Sequence, residues 1–210
     1  MKNASPFMTL IVLGLSGLSG CSTTEIPPTD EGLNFLESVG STELLFNEID
    51  EAQEDFGRTP FDYVPPTSGT VNYVGFLGMN LSSAVVGAAE DQLLVGNLDL
   101  TIEFDPTPDD YIHGTVTDIQ DADTLYTGTL LIDGDGLTKP FGGLGFSADL
   151  TGSYVGPDGR ANIVDGQLVG DLIAPGGGDV QFVQGDVLGT VTTGSDAFFI
   201  DGGFAAAQVN

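Results

Sequence analysis

The stretch QLLVGNLDLTIEF, residues Gln92–Phe104, decides the fold. From Leu94 every second residue is apolar or glycine (Leu94, Gly96, Leu98, Leu100, Ile102, Phe104), and Asn97, Asp99, Thr101 and Glu103 take the places between. A period of two puts the first set on one face of an extended strand and the second set on the other. One face is therefore expected to be buried and the other wet, the signature of an antiparallel sheet.

Working outward, the same character runs from about Gly69 to the last residue. The strand candidates are TVNYVGFLGM, QLLVGNLDLTIEF, YIHGTVTDI, TLYTGTLLID, GFSADLTGSYV, NIVDGQLVGDLI, VQFVQGDVLGTV and AFFIDGGFAAAQ. Eight strands joined by turn-length links, with no room for helices between them, predict an antiparallel meander. In the seventh, Val183, Gly185, Val187, Gly189 and Val191 fall together against Gln184, Asp186 and Thr190.

Glycine inside a strand normally weakens it, yet here it recurs on the apolar side, at Gly114, Gly128, Gly166, Gly185 and Gly202. A sheet of few strands that closes on itself bends sharply and has little interior volume, so small inward residues relieve crowding and let the strands coil. The pattern predicts an all-β fold, a small eight-stranded antiparallel up-and-down barrel over residues 69–210. Closure also removes edge strands.

Ahead of the barrel, Lys2, the apolar run Phe7–Leu18 and the small pair Ser19-Gly20 read as a secretory signal peptide, residues 1–20. Leu18-Ser19-Gly20-Cys21 is similar to the lipobox of bacterial lipoproteins, and the resemblance implies a lipid thioether on Cys21, cleavage before it and acylation of the new amine. An ordinary signal peptide ending at a chance cysteine is the alternative. Stable membrane anchoring takes two acyl chains or more. Cys21 is the only cysteine, so removing it from the fold removes thiol catalysis, disulfides and cysteine metal sites together.

Residues 21–68 are rich in Ser, Thr, Pro, Asp and Glu and read as an acidic tether, whose residues 22–67 would span roughly 35–40 Å if flexible. Within it Leu44, Leu45, Ile49, Ala52 and Phe56 recur at helical spacing before Gly57, which predicts a short amphipathic helix over 41–56 packed on the following domain. YVPPTSGT then marks a boundary near Gly69.

Glycine-spaced strands, the close FFIDGGFAAAQ (Phe198–Gln208), the hairpin LTIEFD…IHGTV and a lipobox together resemble the barrel of transferrin-binding protein B-like surface lipoproteins of Gram-negative bacteria. The resemblance covers residues 69–210 and the anchor. It implies an outer-membrane lipoprotein with a single barrel and no handle domain, at the cell surface or on the periplasmic face, binding a macromolecular partner or aiding nutrient (iron) acquisition. Ser22, in place of the aspartate that retains lipoproteins at the inner membrane of enteric bacteria, fits outer-membrane placement.

The net charge of −27, from 4 Lys+Arg against 31 Asp+Glu, makes nucleic acid and anionic lipid headgroups poor partners. The lipid anchor remains the expected link to a membrane. Chemistry is sparse. His113, the only histidine, lies on the wet face with Thr115 and Thr117 and is read as a surface residue; one histidine builds neither a His-based metal site nor, without a nucleophile-elbow motif, a triad. Asp133 and Asp135, in LIDGDG, resemble the start of a calcium loop, but the twelfth position from Asp133 is Leu144, so the segment is read as a hairpin turn. The acid pairs Asp109-Asp110 and Glu54-Asp55 are read as solvated. Tyr73, Tyr111, Tyr126 and Tyr154 are read as core or rim packing rather than a ligand mouth. No enzyme activity and no cofactor are expected, and the ligand-binding residues stay unassigned. A lipocalin-like carrier of a small hydrophobic ligand inside the barrel is the competing function, and a packed interior would count against it.

Overall fold

The structure is a computed structural model and describes residues 40–41, 43–47, 68–83, 92–104, 111–138, 144–174 and 179–209. The strands are β1 (Gly69–Ser83), β2 (Gln92–Phe104), β3 (Tyr111–Gln120), β4 (Thr127–Gly134), β5 (Leu137–Thr138), β6 (Gly145–Val155), β7 (Ala161–Ile173), β8 (Phe182–Thr193) and β9 (Asp196–Val209). Every pairing is antiparallel, in the order β4-β3-β2-β1-β9-β8-β7-β6-β5. A further pairing of β4 with β6, Thr127↔Val155 to Asp133↔Asp149, closes the ring. Eight long strands thus form the expected closed barrel, with neighbours in sequence almost always neighbours in space.

Alternation explains the inside. Leu94, Leu98, Leu100 and Ile102 of β2 and Val183, Val187 and Val191 of β8 are buried in one cluster with Tyr73, Met79, Phe146 and Phe204. The Phe146 and Phe204 rings lie 5.8 Å apart across the interior. Gly170 lies against both, and a Cβ there would stand 2.7 Å from an atom of each ring. Gly185 shows the second use of glycine: a Cβ would run into the Val169 carbonyl oxygen on the adjacent strand. Small inward residues therefore serve close strand approach and ring packing, the two needs of a narrow barrel.

The outside carries the acids, among them Asp99, Asp133, Asp149, Asp165, Asp186 and Asp201, all exposed. This polarity is the reverse of a membrane-spanning barrel, whose outer band must be apolar. No helix among the described residues is long and apolar enough to cross a membrane.

One part of the outer surface differs. Phe76, Ala205, Phe182 and Ala207 point outward and pair in register, Phe76↔Ala205 and Phe182↔Ala207, yet are buried and stand apart from the core cluster. Residues 43–47 form a helical turn on this side: an atom of the Phe46 ring is 3.9 Å from where a Cβ on Gly203 would stand, and Leu45 is 7% exposed. The predicted helix thus appears at residues 40–41 and 43–47, and its continuation to 56 lies outside the described residues. Leu44 corrects the expected face, being 62% exposed. Successive helical residues are about 100° apart, so Leu44 and Leu45 cannot both sit at the centre of one buried stripe.

The expected hairpin at LIDGDG is also corrected. β4 reaches Gly134, Gly136 adopts φ 141°, and β5 continues along the same partner, with Asp133↔Asp149 followed by Leu137↔Phe146. Four steps on one strand match three on the other, so Asp135-Gly136 is a bulge that bends the strand. A second bulge lies in β3, where the register passes from Asn97↔Thr117 to Val95↔Gln120. Asp118 takes φ 49° there, and its carboxylate accepts a hydrogen bond from Asn97 Nδ2 at 3.0 Å. Aspartate is among the few non-glycine residues that tolerate this conformation.

Candidate functional site

Two polar constellations stand out, one at the end of the barrel and one on its side. At the end, beyond the β3 bulge, the Asp121 carboxylate accepts hydrogen bonds from Gln92 Nε2 (2.6 Å), the Tyr126 hydroxyl (2.8 Å) and the backbone N–H groups of Asp123 (2.9 Å) and Thr124 (2.8 Å). Burial alone would raise its pKa, but the four donors outweigh it and hold the carboxyl below its ordinary value. Tyr126 is shifted the other way, first by burial and then by its bond to Asp121. Its ring meets that of Tyr154 edge-on at 5.2 Å, and Tyr154 is pushed up by burial first and by Tyr126 second. With its carboxylate so fully engaged, this network reads as a polar plug holding the β3–β4 connection against the core.

The side constellation is a shallow cleft of about 410 Å³ on the outer face of β2, β3 and β4. Register builds it in rows: Asp99, Thr115 and Leu131 in one, Thr101, His113 and Asp133 in the next, and the pair Glu103 and Tyr111 beyond. The β2–β3 pairing is the hairpin foreseen at LTIEFD…IHGTV, and β4 closes alongside. Tyr111 and His113, two apart on the same face of β3, hold their ring centroids 5.1 Å apart. The Tyr111 hydroxyl donates to Asp133, and this bond with the negative charge beside it raises the phenol pKa. Thr101 Oγ1 donates to Asn72 Oδ1 at 3.0 Å. His113 Nδ1 is sealed from solvent without a hydrogen-bond partner. Tyr111 and Leu131 are large hydrophobic residues left 43% and 54% exposed, so the cleft offers apolar surface as well.

His113 stands on the wet face as expected. Asp133 joins it in the cleft, whereas Asp135 sits exposed in the bulge. Among the described residues, no group of three or more His, Cys, Asp or Glu side chains is placed to hold a metal ion. The four tyrosines separate: Tyr73 and Tyr154 are buried, Tyr126 is at the rim and Tyr111 is outside. Leu18, Ser19, Gly20 and Cys21, Glu54-Asp55 and Asp109-Asp110 lie outside the described residues. Sequence reasoning missed the cleft, although its signal was present: wet-face residues of three successive strands become neighbours once the hairpin registers are known.

The geometry defines a closed antiparallel barrel, apolar within and acidic without, carrying a cleft on one side. Comparison of the chain with protein-family models, curated proteins and solved structures gives no match.

Proposed function

We propose that this protein is a lipid-anchored, non-catalytic binding module of the bacterial outer membrane, holding its partner on the outside of the barrel and aiding nutrient uptake at the envelope. The single observation that carries the reading is the filled interior. Tyr73, Phe146, Phe204 and Met79 occupy the space in which a lipocalin-like carrier would hold its ligand, which supports recognition on the outer face and the loops. Location is read from Leu18-Ser19-Gly20-Cys21, and the transferrin-binding protein B-like resemblance rests on the glycine-spaced strands. Host-protein binding in that family uses long loops and handle domains; among the described residues the barrel offers the side cleft as an outward surface.

Palmitate labelling with protease treatment of intact cells tests this reading. The wild-type chain is expected to take up label and be degraded from outside, and Cys21→Ala to lose the label and accumulate as unprocessed precursor. Labelling that persists in Cys21→Ala would reject the anchor, and full protection from protease would reject surface display.

A further inference from the structure

We infer that the outer cleft over β2–β4 binds a guanidinium group. Its described lining carries two carboxylates, Asp99 and Asp133, and no lysine or arginine. The two hydroxyl donors characterised in it are already spent, Tyr111 on Asp133 and Thr101 on Asn72, so carboxylate oxygens of Asp99 and Asp133 are left to meet a ligand. Two carboxylates facing one cleft favour a ligand that brings N–H groups and positive charge.

The apolar part narrows the choice. Tyr111 presents an exposed ring beside the carboxylates, and Leu131 an exposed side chain at the other row. A planar cation stacks on such a ring while its N–H fork reaches a carboxylate, and the attached alkyl stem lies along leucine; a compact, strongly hydrated ammonium uses this geometry less well. Nothing among the described residues takes the place. Among the described residues Arg160 is the one Lys or Arg, and its Nε lies 3.5 Å from Asp158 in the β6–β7 turn. The inference rests on outward recognition and names its chemistry. The guanidinium has two sources, an arginine side chain on a partner protein or a free guanidinium compound.

Calorimetric titration of the purified full-length protein in detergent micelles separates these, using agmatine and the blocked tripeptide acetyl-Gly-Arg-Gly-amide as probes. Saturable binding is expected, tighter for the tripeptide if the source is a protein and tighter for agmatine if it is a free compound. The citrulline tripeptide, neutral and of nearly the same shape, should bind at least about tenfold more weakly, and Asp133→Asn and Tyr111→Leu should each weaken arginine binding by about tenfold. Asp165→Asn, an acid outside the cleft, should change nothing. Amide shifts in the unsubstituted protein should cluster on Thr101, His113 and Asp133, which keeps the test valid if a variant misfolds. Absent saturation, equal citrulline binding, or equal losses in Asp165→Asn and Asp133→Asn would overturn the inference. Lipidation and surface display are read separately, so failure here leaves them standing.

Discussion

The inner and outer faces of the same strands obey different rules. On β8, Val183, Val187 and Val191 are almost wholly buried, while Asp186 and Leu188 between them face water. Inside, every side chain shares a narrow space with residues from several strands, so shape is dictated by the whole barrel. Outside, a residue answers mainly to its cross-strand neighbours, which leaves room for charge, exposed rings and a cleft. The inner face specifies the fold, and the outer face is free to specify a partner.

Substitutions at neighbouring positions put that contrast to the test, and urea unfolding followed by circular dichroism is the measurement. The largest effect is expected for Gly185→Val, whose Cβ runs into the Val169 carbonyl oxygen; it should cost about 4 kcal/mol or more, enough to abolish cooperative folding. Asp186→Val, one residue along and facing out, should stay within about 1 kcal/mol. Equal effects at the two positions would dissolve the distinction between the faces. Phe204→Ala, removing a ring packed on Phe146, should cost about 3–5 kcal/mol, and a much smaller loss would mean that the interior is loosely filled.

Asp121→Asn sharpens the comparison at the rim, where inside meets outside. The folded-state pKa of Asp121 is lowered, so its contribution is present above the ordinary carboxylate value of about 3.9 and is lost as pH falls through the folded value. At pH 7 the variant should be less stable by about 1 kcal/mol, a modest figure because the site is partly exposed, and its stability should decline less than the wild type's below about pH 4. Identical acid limbs would show that the plug carries no charge-dependent stability. The smallest effect, within about 0.5 kcal/mol, is expected for Asp165→Asn on the exposed face of β7.

Much of the fold was legible in local pattern. The alternation in QLLVGNLDLTIEF marked both the limits of β2 and its inward set, and inward glycines such as Gly166 and Gly185 pointed to closure because only a narrow, coiled sheet needs them. The bulges were not legible. Asp135-Gly136 has the chemistry of a tight hairpin, and only pairing with β6 on both sides of it shows that the strand continues. The cleft was hidden for a related reason: His113 looks solitary in sequence, and the registers that set it between Thr101 and Asp133 depend on two hairpins at once. Composition gave the acidity of the surface but not where an exposed tyrosine and leucine would interrupt it.

The central claim is that the barrel is full and that recognition lies outside it. Xenon pressurisation of crystals of the protein tests this most directly, since an apolar void of useful size takes up xenon and a packed interior does not. The account predicts no xenon among the inward side chains of Tyr73, Phe146 and Phe204. An occupied site there would reveal a cavity fit for an apolar ligand and would contradict it.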